Sequence, residues 1–344
     1  MTEYPLDIII PVWNSPVEVR AALASFAADS PLARIVMVNN GSERETEAIL
    51  HEFAEALDDR ALLLSTGRNI GTVAALNLGL SRSSAPLALV TNPFVRLSPG
   101  WLDPVLSVFD RTAAAGAVCL RSGQVSTCEA DHGSFTAMVL KRELFLRAAG
   151  FDEQMDGALW ALRDFARKAT ASGYKTFSLC SRQLRCEAPQ ELGSQARREQ
   201  RVSAARQLYA ERWGAPGSYL LPCSDSLPGE GIDSFRETLL AAARQGDRIT
   251  VTAAAKQGRL LLQEGLSALH ENITMLALPR FFPGRVMRRA VERLVSDDAG
   301  AMVITADTAT TWSLGRLSYA DFTANIRLRR DRYYLGGGHV CRAP

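Results

Sequence analysis

The chain has 344 residues, enough for two domains, and its 47% hydrophobic and 22% charged residues are usual for a globular protein. A net charge of +2 does not indicate nucleic acid, and no nucleic-acid partner is expected. The six cysteines form no C-x-x-C pair, which favours reduced thiols and a cytoplasmic location. No apolar run approaches the roughly 20 residues that cross a bilayer, so any membrane association is expected to be peripheral.

Short apolar runs alternate with helical periodicities over the first hundred residues. They predict strands at 7–10, 33–38, 61–65 and 87–91, and helices at 17–28, 43–56 and 72–81. This alternation predicts an α/β fold, a doubly wound and mostly parallel sheet with right-handed crossovers.

Weaker signals follow along the chain. They predict helices at 102–114, 141–150, 160–172, 195–213, 234–244 and 285–295, and strands at 117–120, 135–140, 174–179, 249–253, 273–278 and 301–306. Residues 215–230 are rich in Pro, Gly and Ser, which predicts a linker. We therefore expect a first domain over 1–214 and a smaller C-terminal α/β domain over 231–344, whose role the sequence does not indicate.

Polar residues and glycines gather at the predicted carboxyl ends of the first four strands. The four segments are Pro11–Asn14, Asn39–Ser42, Gly67–Gly71 and Asn92–Arg96. In doubly wound sheets, ligands bind at the carboxyl ends of the strands. The sequence therefore predicts a ligand site built from these segments.

Several local patterns occur in one order along the chain. They are Ile8–Asn14, Val36–Ser42, Arg68–Gly71 with Asn77–Gly79, Leu97–Leu102, Ala137–Phe145 with Gly150–Glu153, Gly173-Tyr174 and Arg212–Gly214. Together they resemble the inverting family 2 glycosyltransferases of the GT-A fold. The resemblance covers residues 5–214 and ends at the predicted linker.

The resemblance implies a nucleotide-sugar donor and a glycan, lipid or protein acceptor. It also implies Mg²⁺ or Mn²⁺, held by an Asp-x-Asp motif against the diphosphate of the donor. A carboxylate would act as general base on the acceptor hydroxyl. The positions that the resemblance assigns to nucleotide-sugar binding are Pro11, Trp13, Asn14, Asn39, Gly41, Ser42, Asn69, Gly71, Asn77, Asn92 and Arg96.

The metal motif of the family is missing from this chain. The Asp-x-Asp segment should lie between Val90 and Leu97, where no carboxylate occurs, and no metal ligand is assigned. Arg96 could neutralise the diphosphate directly, the alternative being a solvated surface arginine. Asn39 replaces the usual Asp of the second strand, either to bind a base edge or to form a turn before Gly41. Trp13 could stack on a ring of the donor or pack in the core.

The usual base is missing as well. The Glu and the catalytic Asp of the family fall at Ala161 and Leu162, and only Asp164 remains, either as a supporting acid or as a helix-surface carboxylate. A histidine that is often a metal ligand falls near Cys186, a poor ligand for a hard cation. Asp131 and His132 are the best replacement acid and base, with ordinary loop residues as the alternative. The carboxylates Asp152 and Asp156 follow at the Phe-Asp-Glu turn.

Two functions remain open at this point. One is a divergent, active glycosyltransferase of bacterial polysaccharide biosynthesis, which works with or without a metal. The other is an inactive relative that binds a nucleotide-sugar, a glycan or a partner. A sugar nucleotidyltransferase is disfavoured because Pro11–Pro16 holds no glycine-rich basic loop. A homo-oligomer or a protein partner at the C-terminal domain is left open, as is an acidic partner for the basic run Arg327–Tyr334.

Overall fold

A computed structural model describes residues 4–124, 126–156, 159–186, 195–223, 231–281, 283–305 and 314–335. These residues form two compact units. The first unit comprises residues up to 127 and 132–209, and the second comprises 128–131 and the described residues from 210 onward. None of the described helices is both long and apolar enough to cross a membrane.

The elements of the first unit follow the predicted alternation. The strands are β1 (Leu6–Val12), β2 (Ala33–Asn39), β3 (Ala61–Ser65), β4 (Leu87–Thr91), β5 (Val95–Leu97), β6 (Ala115–Ser122), β7 (Ser126–Ala130), β8 (Ala137–Lys141), β9 (Lys175–Ser181) and β10 (Leu184–Cys186). The helices are α1 (Pro16–Asp29), α2 (Arg44–Leu57), α3 (Thr72–Ser81), α4 (Asp103–Arg111), α5 (Arg142–Arg147), α6 (Leu159–Ala171) and α7 (Gln195–Trp213). The boundary between the units falls within β7 and α7.

The main sheet of the first unit is mostly parallel. Its strands run in the order β3-β2-β1-β4-β8-β6-β9, and only β8 is antiparallel to its neighbours. The consecutive isoleucines Ile8, Ile9 and Ile10 of β1 are fully buried, as expected for a strand covered on both faces. The predicted α/β class with a doubly wound, mostly parallel sheet is confirmed.

Several predicted boundaries were wrong. The helix expected at 141–150 ends at Arg147, because Ala149 and Gly150 take left-handed backbone conformations with φ of 54° and 76°. The helix expected at 102–114 is shortened to Asp103–Arg111. The strands β5 and β10 were not predicted, because a three-residue strand leaves no periodicity to detect.

One buried carboxylate lies at the start of β1. Asp7 on β1 is fully buried and pairs in two hydrogen bonds with Arg34 on β2, each of 2.9 Å. Its carboxylate also accepts from the Ser83 hydroxyl and the Ser84 and Ala85 amides. Burial raises the pKa of Asp7, but the bonds from Arg34, Ser83 and the two amides outweigh burial and leave this pKa below its usual value.

We predict that Asp7→Asn lowers the free energy of unfolding of the first unit by about 3–5 kcal/mol, since it leaves the Arg34 guanidinium half-buried without its anion. Urea denaturation followed by circular dichroism measures this. The matched control is Glu52→Gln, which breaks the exposed Arg20–Glu52 pair and should leave the transition unchanged. Equal effects of the two substitutions would contradict the assignment.

The second unit is a parallel sheet of its own. Its strands are β11 (Ser218–Cys223), β12 (Arg248–Ala254), β13 (Ile273–Leu278), β14 (Met302–Thr305) and β15 (Gly315–Ser318), in the order β13-β12-β11-β14-β15. Its helices are α8 (Ile232–Ala243), α9 (Ala255–Gln263), α10 (Pro283–Asp297) and α11 (Tyr319–Leu335). The predicted smaller α/β domain is therefore confirmed.

The linker predicted at 215–230 was wrong at residues 218–223. These residues form β11, the central strand of the second sheet, which pairs with β12 and β14. The Pro and Gly residues around it gave a loop signal, while Tyr219, Leu220 and Leu221 supply only a short apolar run. The basic run predicted near the C-terminus falls on α11, where Arg329 pairs with the buried Asp247.

A short segment from the middle of the sequence belongs to the second unit. Glu129 exchanges backbone hydrogen bonds with Leu269 and Glu271, and its carboxylate forms an ion pair of 2.7 Å with Arg244. Beside it lies His270, only 1% exposed, whose Nδ1 accepts a hydrogen bond from the Asn272 amide. Desolvation lowers the pKa of His270, and the carboxylates of Asp131, Glu271 and Glu129 only partly oppose this.

We predict that the second unit loses stability in acid through His270. The folded-state pKa lies below that of the unfolded chain, so the stabilisation is complete above about pH 6.5 and is lost as the pH falls below it. The slope for one proton is at most about 1.4 kcal/mol per pH unit. The variant His270→Asn keeps an acceptor for the Asn272 amide. Its urea midpoint should depend less on pH between pH 8 and pH 5 than the midpoint of the wild type. The exposed His51→Gln serves as control, and a slope unchanged in His270→Asn would refute the prediction.

Candidate functional site

The ends of β1 and β2 are tied together by two side chains. The Asn14 amide N–H donates to the Ser42 hydroxyl at 3.0 Å, and the Glu43 amide donates to Asn14 Oδ1 at 2.8 Å. Asn14 and Ser15 have positive φ values of 57° and 61°, so the chain turns sharply after β1. Predicted site residues Asn14 and Ser42 therefore lie side by side.

Asn40 joins the end of β2 to the loop before α3. Its Oδ1 accepts from the Ile70 amide at 2.9 Å, and its Nδ2 donates to the Gly71 carbonyl at 3.2 Å and to Asn69 Oδ1 at 3.3 Å. Asn69 Oδ1 also accepts from the Gly71 amide. Asn40 was missing from the predicted site residues, although the doubled Asn39-Asn40 before Gly41 was a visible signal.

The neighbouring Asn39 forms the turn. Its Oδ1 accepts from the Ser42 amide at 2.9 Å, its Nδ2 lies 3.4 Å from Glu47 Oε1, and the residue is buried. These contacts match the turn alternative rather than the binding of a base edge. Trp13, in contrast, is 43% exposed at the end of β1, so the core-packing alternative was wrong and its indole remains available for stacking. Pro11 lies half-buried within β1, paired with Val38.

Gly41 sits where two backbone segments touch. Its φ is +75°, and a Cβ atom at this position would lie 2.4 Å from the Arg68 carbonyl carbon. Gly71 also has a positive φ, and a Cβ there would lie 2.6 Å from the Asp156 carboxylate. Both predicted glycines are therefore required by backbone conformation and by close contact.

The segment that should hold a metal is closed by local hydrogen bonds. The Thr91 hydroxyl donates to the Thr136 carbonyl, and Asn92 Oδ1 accepts from the Phe94 amide at 2.9 Å. Arg96 Nη1 donates to the carbonyls of Pro93 and Val95 at 2.8 and 2.9 Å. With no carboxylate and with these groups already paired, the segment does not fit the Mg²⁺ or Mn²⁺ that the resemblance implies.

A short pair of antiparallel strands borders this segment. Strand β10 pairs with β5 and places Cys186 opposite Val95. Cys186 therefore lies beside the segment where the resemblance expects the Asp-x-Asp motif, at the position where it expects a histidine ligand.

Asn77 on α3 is a structural residue in this fold. Its Nδ2 donates to the Phe151 carbonyl at 2.8 Å and to Glu153 Oε1 at 3.0 Å, and its Oδ1 accepts from the Phe151 amide. Asn77 therefore holds the Phe-Asp-Glu turn against α3. Asp152 accepts from the Gln154 amide and closes the same turn.

The remaining family acid is paired. Asp164 is fully buried in α6 and lies 2.8 Å from Lys168 Nζ one turn further on. The helix-surface alternative for Asp164 was wrong, and its ion pair suits the supporting role. Leu162, where the resemblance places the catalytic Asp of the family, is buried.

A small cavity opens at that position. It has a volume of about 230 Å³ and is lined by Leu162, Leu159, Arg121, Gly133, Ser134 and His132. The predicted His132 thus lies where the resemblance places the general base. Asp131, its neighbour in sequence, is instead a buried residue of the second unit, near His270.

Asp156 caps the start of α3. Its carboxylate accepts hydrogen bonds from the Thr72 and Val73 amides. Burial raises the pKa of Asp156, while the positive charge of Arg201 and the two amide bonds lower it, and the net pKa is above its usual value. The sequence indicates only that Asp156 is a carboxylate near the Phe-Asp-Glu turn, because nothing in the sequence connects Asp156 with α3.

The sheet and its strand-end segments define a nucleotide-sugar transferase-like first unit. The family model of glycosyl transferase family 2 matches residues 7–146, which confirms the resemblance over this part of the chain. The match includes β1 to β4, their carboxyl-end loops and His132.

A curated relative is the glycosyltransferase AglE of Haloferax volcanii. It is 25% identical over 148 residues, which are 41% of this chain and 48% of AglE. The chain therefore spans about half the length of the curated relative that it matches.

Two solved structures show more distant similarity. The mannosyltransferase PcManGT of Pyrobaculum calidifontis, solved with GDP-Man and Mn²⁺, is 14% identical with a TM-score of 0.49, covering 98% of this chain and 88% of its own. S. aureus TarS, residues 1–349, is 13% identical with a TM-score of 0.45, covering 60% and 72%.

We predict that Gly41→Ala disrupts the strand-end site while Gly67→Ala does not. Both glycines have positive φ, but a Cβ at Gly67 meets nothing within 4 Å, so Gly67→Ala carries only the left-handed backbone cost of roughly 1–2 kcal/mol. Gly41→Ala adds the clash with the Arg68 backbone and should be distinctly less stable in thermal unfolding. If the two variants melt together, the close contact at Gly41 is not a constraint on the fold.

Proposed function

We propose that the first unit is an inverting glycosyltransferase that binds a nucleotide-diphosphate sugar at the carboxyl ends of β1 to β4. The acceptor is a hydroxyl of a glycan, and no carboxylate-bound metal takes part. The general base is His132. The observation that carries this proposal is the cavity that His132 and Arg121 line together with Leu162, where the resemblance places the base of the family.

The proposed reaction is a single displacement. The imidazole of His132 takes the proton of the acceptor hydroxyl while the hydroxyl oxygen forms a bond to the anomeric carbon. The bond between that carbon and the diphosphate oxygen breaks, and the nucleoside diphosphate leaves with the electron pair. Attack on the face opposite the leaving group inverts the anomeric configuration.

The diphosphate needs positive charge in place of a metal. Arg96, on β5, supports this role because the carbonyls of Pro93 and Val95 hold its guanidinium in a fixed position. The third hydrogen bond, to the Glu18 carbonyl, is long at 3.4 Å. A guanidinium has five N–H donors in a planar fork that suits phosphate oxygens.

The second candidate function is a binding module without transfer activity. Two observations favour it: the base position is Leu162, and the surviving Asp164 is buried in an ion pair with Lys168. Such a module would bind a nucleotide-sugar or a glycan and act through a partner.

We predict that the protein binds a nucleoside diphosphate or its sugar conjugate equally well with and without Mn²⁺. Titration calorimetry and thermal shift with UDP, GDP, CDP, dTDP and their sugar conjugates test this. A hundredfold excess of ligand over its Kd should stabilise the fold by about 2.7 kcal/mol. Failure of every nucleotide to bind a well-folded protein would rule out the transferase and a module that binds a nucleotide-sugar, and would leave only a glycan-binding module. A strict need for Mn²⁺ would rule out the metal-free site.

Once a bound donor is known, substitution of His132 distinguishes the active transferase from the binding module. With a panel of acceptor glycans, His132→Gln should lower kcat at least 100-fold without changing nucleotide affinity, because a positioned base contributes roughly 10²–10⁴. The wild-type rate should fall in acid as the imidazole is protonated, and the variant should lose this dependence. Ser134→Ala, in the same cavity, serves as control. Wild-type turnover by His132→Gln would exclude His132 as the base.

A further inference from the structure

The two faces of the second sheet differ in character. One face packs against α8, α9 and α11 through a large apolar core that includes Phe235, Leu261 and Phe322. The opposite face is covered by α10, whose Met287 and Val291 pack on Leu220 and Val303 in a much smaller cluster. Beside this cluster the cover is incomplete, and a cleft of about 480 Å³ opens. This volume is within the range of small-molecule pockets.

The floor of the cleft is polar. It is formed by Ser218 at the start of β11, Thr250 on β12 and Thr274 on β13, with Thr250 and Thr274 paired in register. Thr250 is half-buried and Thr274 is exposed, so the cleft leaves their side chains accessible. Hydroxyl groups both donate and accept hydrogen bonds, which suits a polar ligand.

Three arginines converge on the same cleft. Arg248 comes from the start of β12, and Arg289 and Arg293 are four residues apart on one face of α10. Among the described residues, none of the three guanidinium groups forms an ion pair or a hydrogen bond. A cluster of like charges repels itself, so it is favoured when an anion binds between its members.

The other lining groups narrow the class of anion. The carboxylates of Glu271 and Asp297 also line the cleft, which leaves one positive charge in excess and disfavours a polyanion. Carboxylates and the nearby Asn272 amide are acceptors for sugar hydroxyls. Leu276 and Leu294 supply an apolar wall for the carbon face of a ring.

We propose that this cleft of the second unit binds a phosphorylated sugar, either free or as part of a nucleoside monophosphate. The phosphate lies between Arg248, Arg289 and Arg293, and the sugar ring lies toward Leu276 and Leu294. The site lies wholly outside residues 7–146, which match the glycosyl transferase family 2 model, and the proposal does not depend on transfer activity in the first unit.

The test uses the whole chain and titration calorimetry with inorganic phosphate, glucose 1-phosphate and UMP. The double variant Arg289→Gln/Arg293→Gln should weaken glucose 1-phosphate binding at least tenfold. Arg288→Gln removes an exposed arginine of the same helix that does not line the cleft, and its affinity should equal that of the wild type. Thermal unfolding checks that both variants are folded, and Thr274→Val should weaken binding without any change in charge.

Each outcome decides the proposal. Tighter binding of glucose 1-phosphate than of UMP identifies a free sugar phosphate, and the reverse identifies a nucleotide. No binding of any probe, equal losses in the Arg288→Gln control, or UMP binding that the double variant leaves unchanged would overturn the proposal. UMP binding that is unchanged in the double variant would assign UMP to another site. Failure of this proposal is therefore distinguishable from failure of the proposed transferase function.

Discussion

The carboxyl ends of β1 and β2 and the loop after β3 are held together by side-chain amides, and the shape of the candidate donor site depends on these bonds. Asn14 joins β1 to the turn after β2, and Asn40 joins β2 to the loop before α3. Gly41 allows the two backbones to touch. These bonds join neutral groups, so the shape that they hold does not depend on a bound metal ion.

Two acids of the first unit are engaged in contacts within the fold: Asp164 pairs with Lys168, and Asp156 accepts hydrogen bonds from the first amides of α3. Positive groups, Arg96 and Arg121, stand near the positions where a metal and a carboxylate would act. A chemistry of fixed cations and one imidazole is consistent with this pattern.

Periodicity was sufficient to predict the order of β1 to β4 and the three helices between them, because buried parallel strands and amphipathic helices leave distinct patterns. It could not predict β11, whose short apolar run stands among Pro and Gly. Periodicity also could not show that Asp131 belongs to the second unit and His132 to the first. Long-range packing, such as the Glu129–Arg244 pair, decides which unit a residue joins. Motif spacing placed the base position of the family at Leu162, but only the fold showed that His132 lines the same cavity as Leu162.

The membership of residues 128–131 in the second unit also limits how this protein can be dissected. A fragment that begins near residue 210 would lack Glu129, and Arg244 would remain as a buried cation without its anion. A fragment that ends near 209 would carry an acidic segment cut off from its own packing partners. The two units are therefore interdependent in sequence, and we expect an insertion or deletion in β7 to affect the folding of a unit whose other residues begin at Ala210.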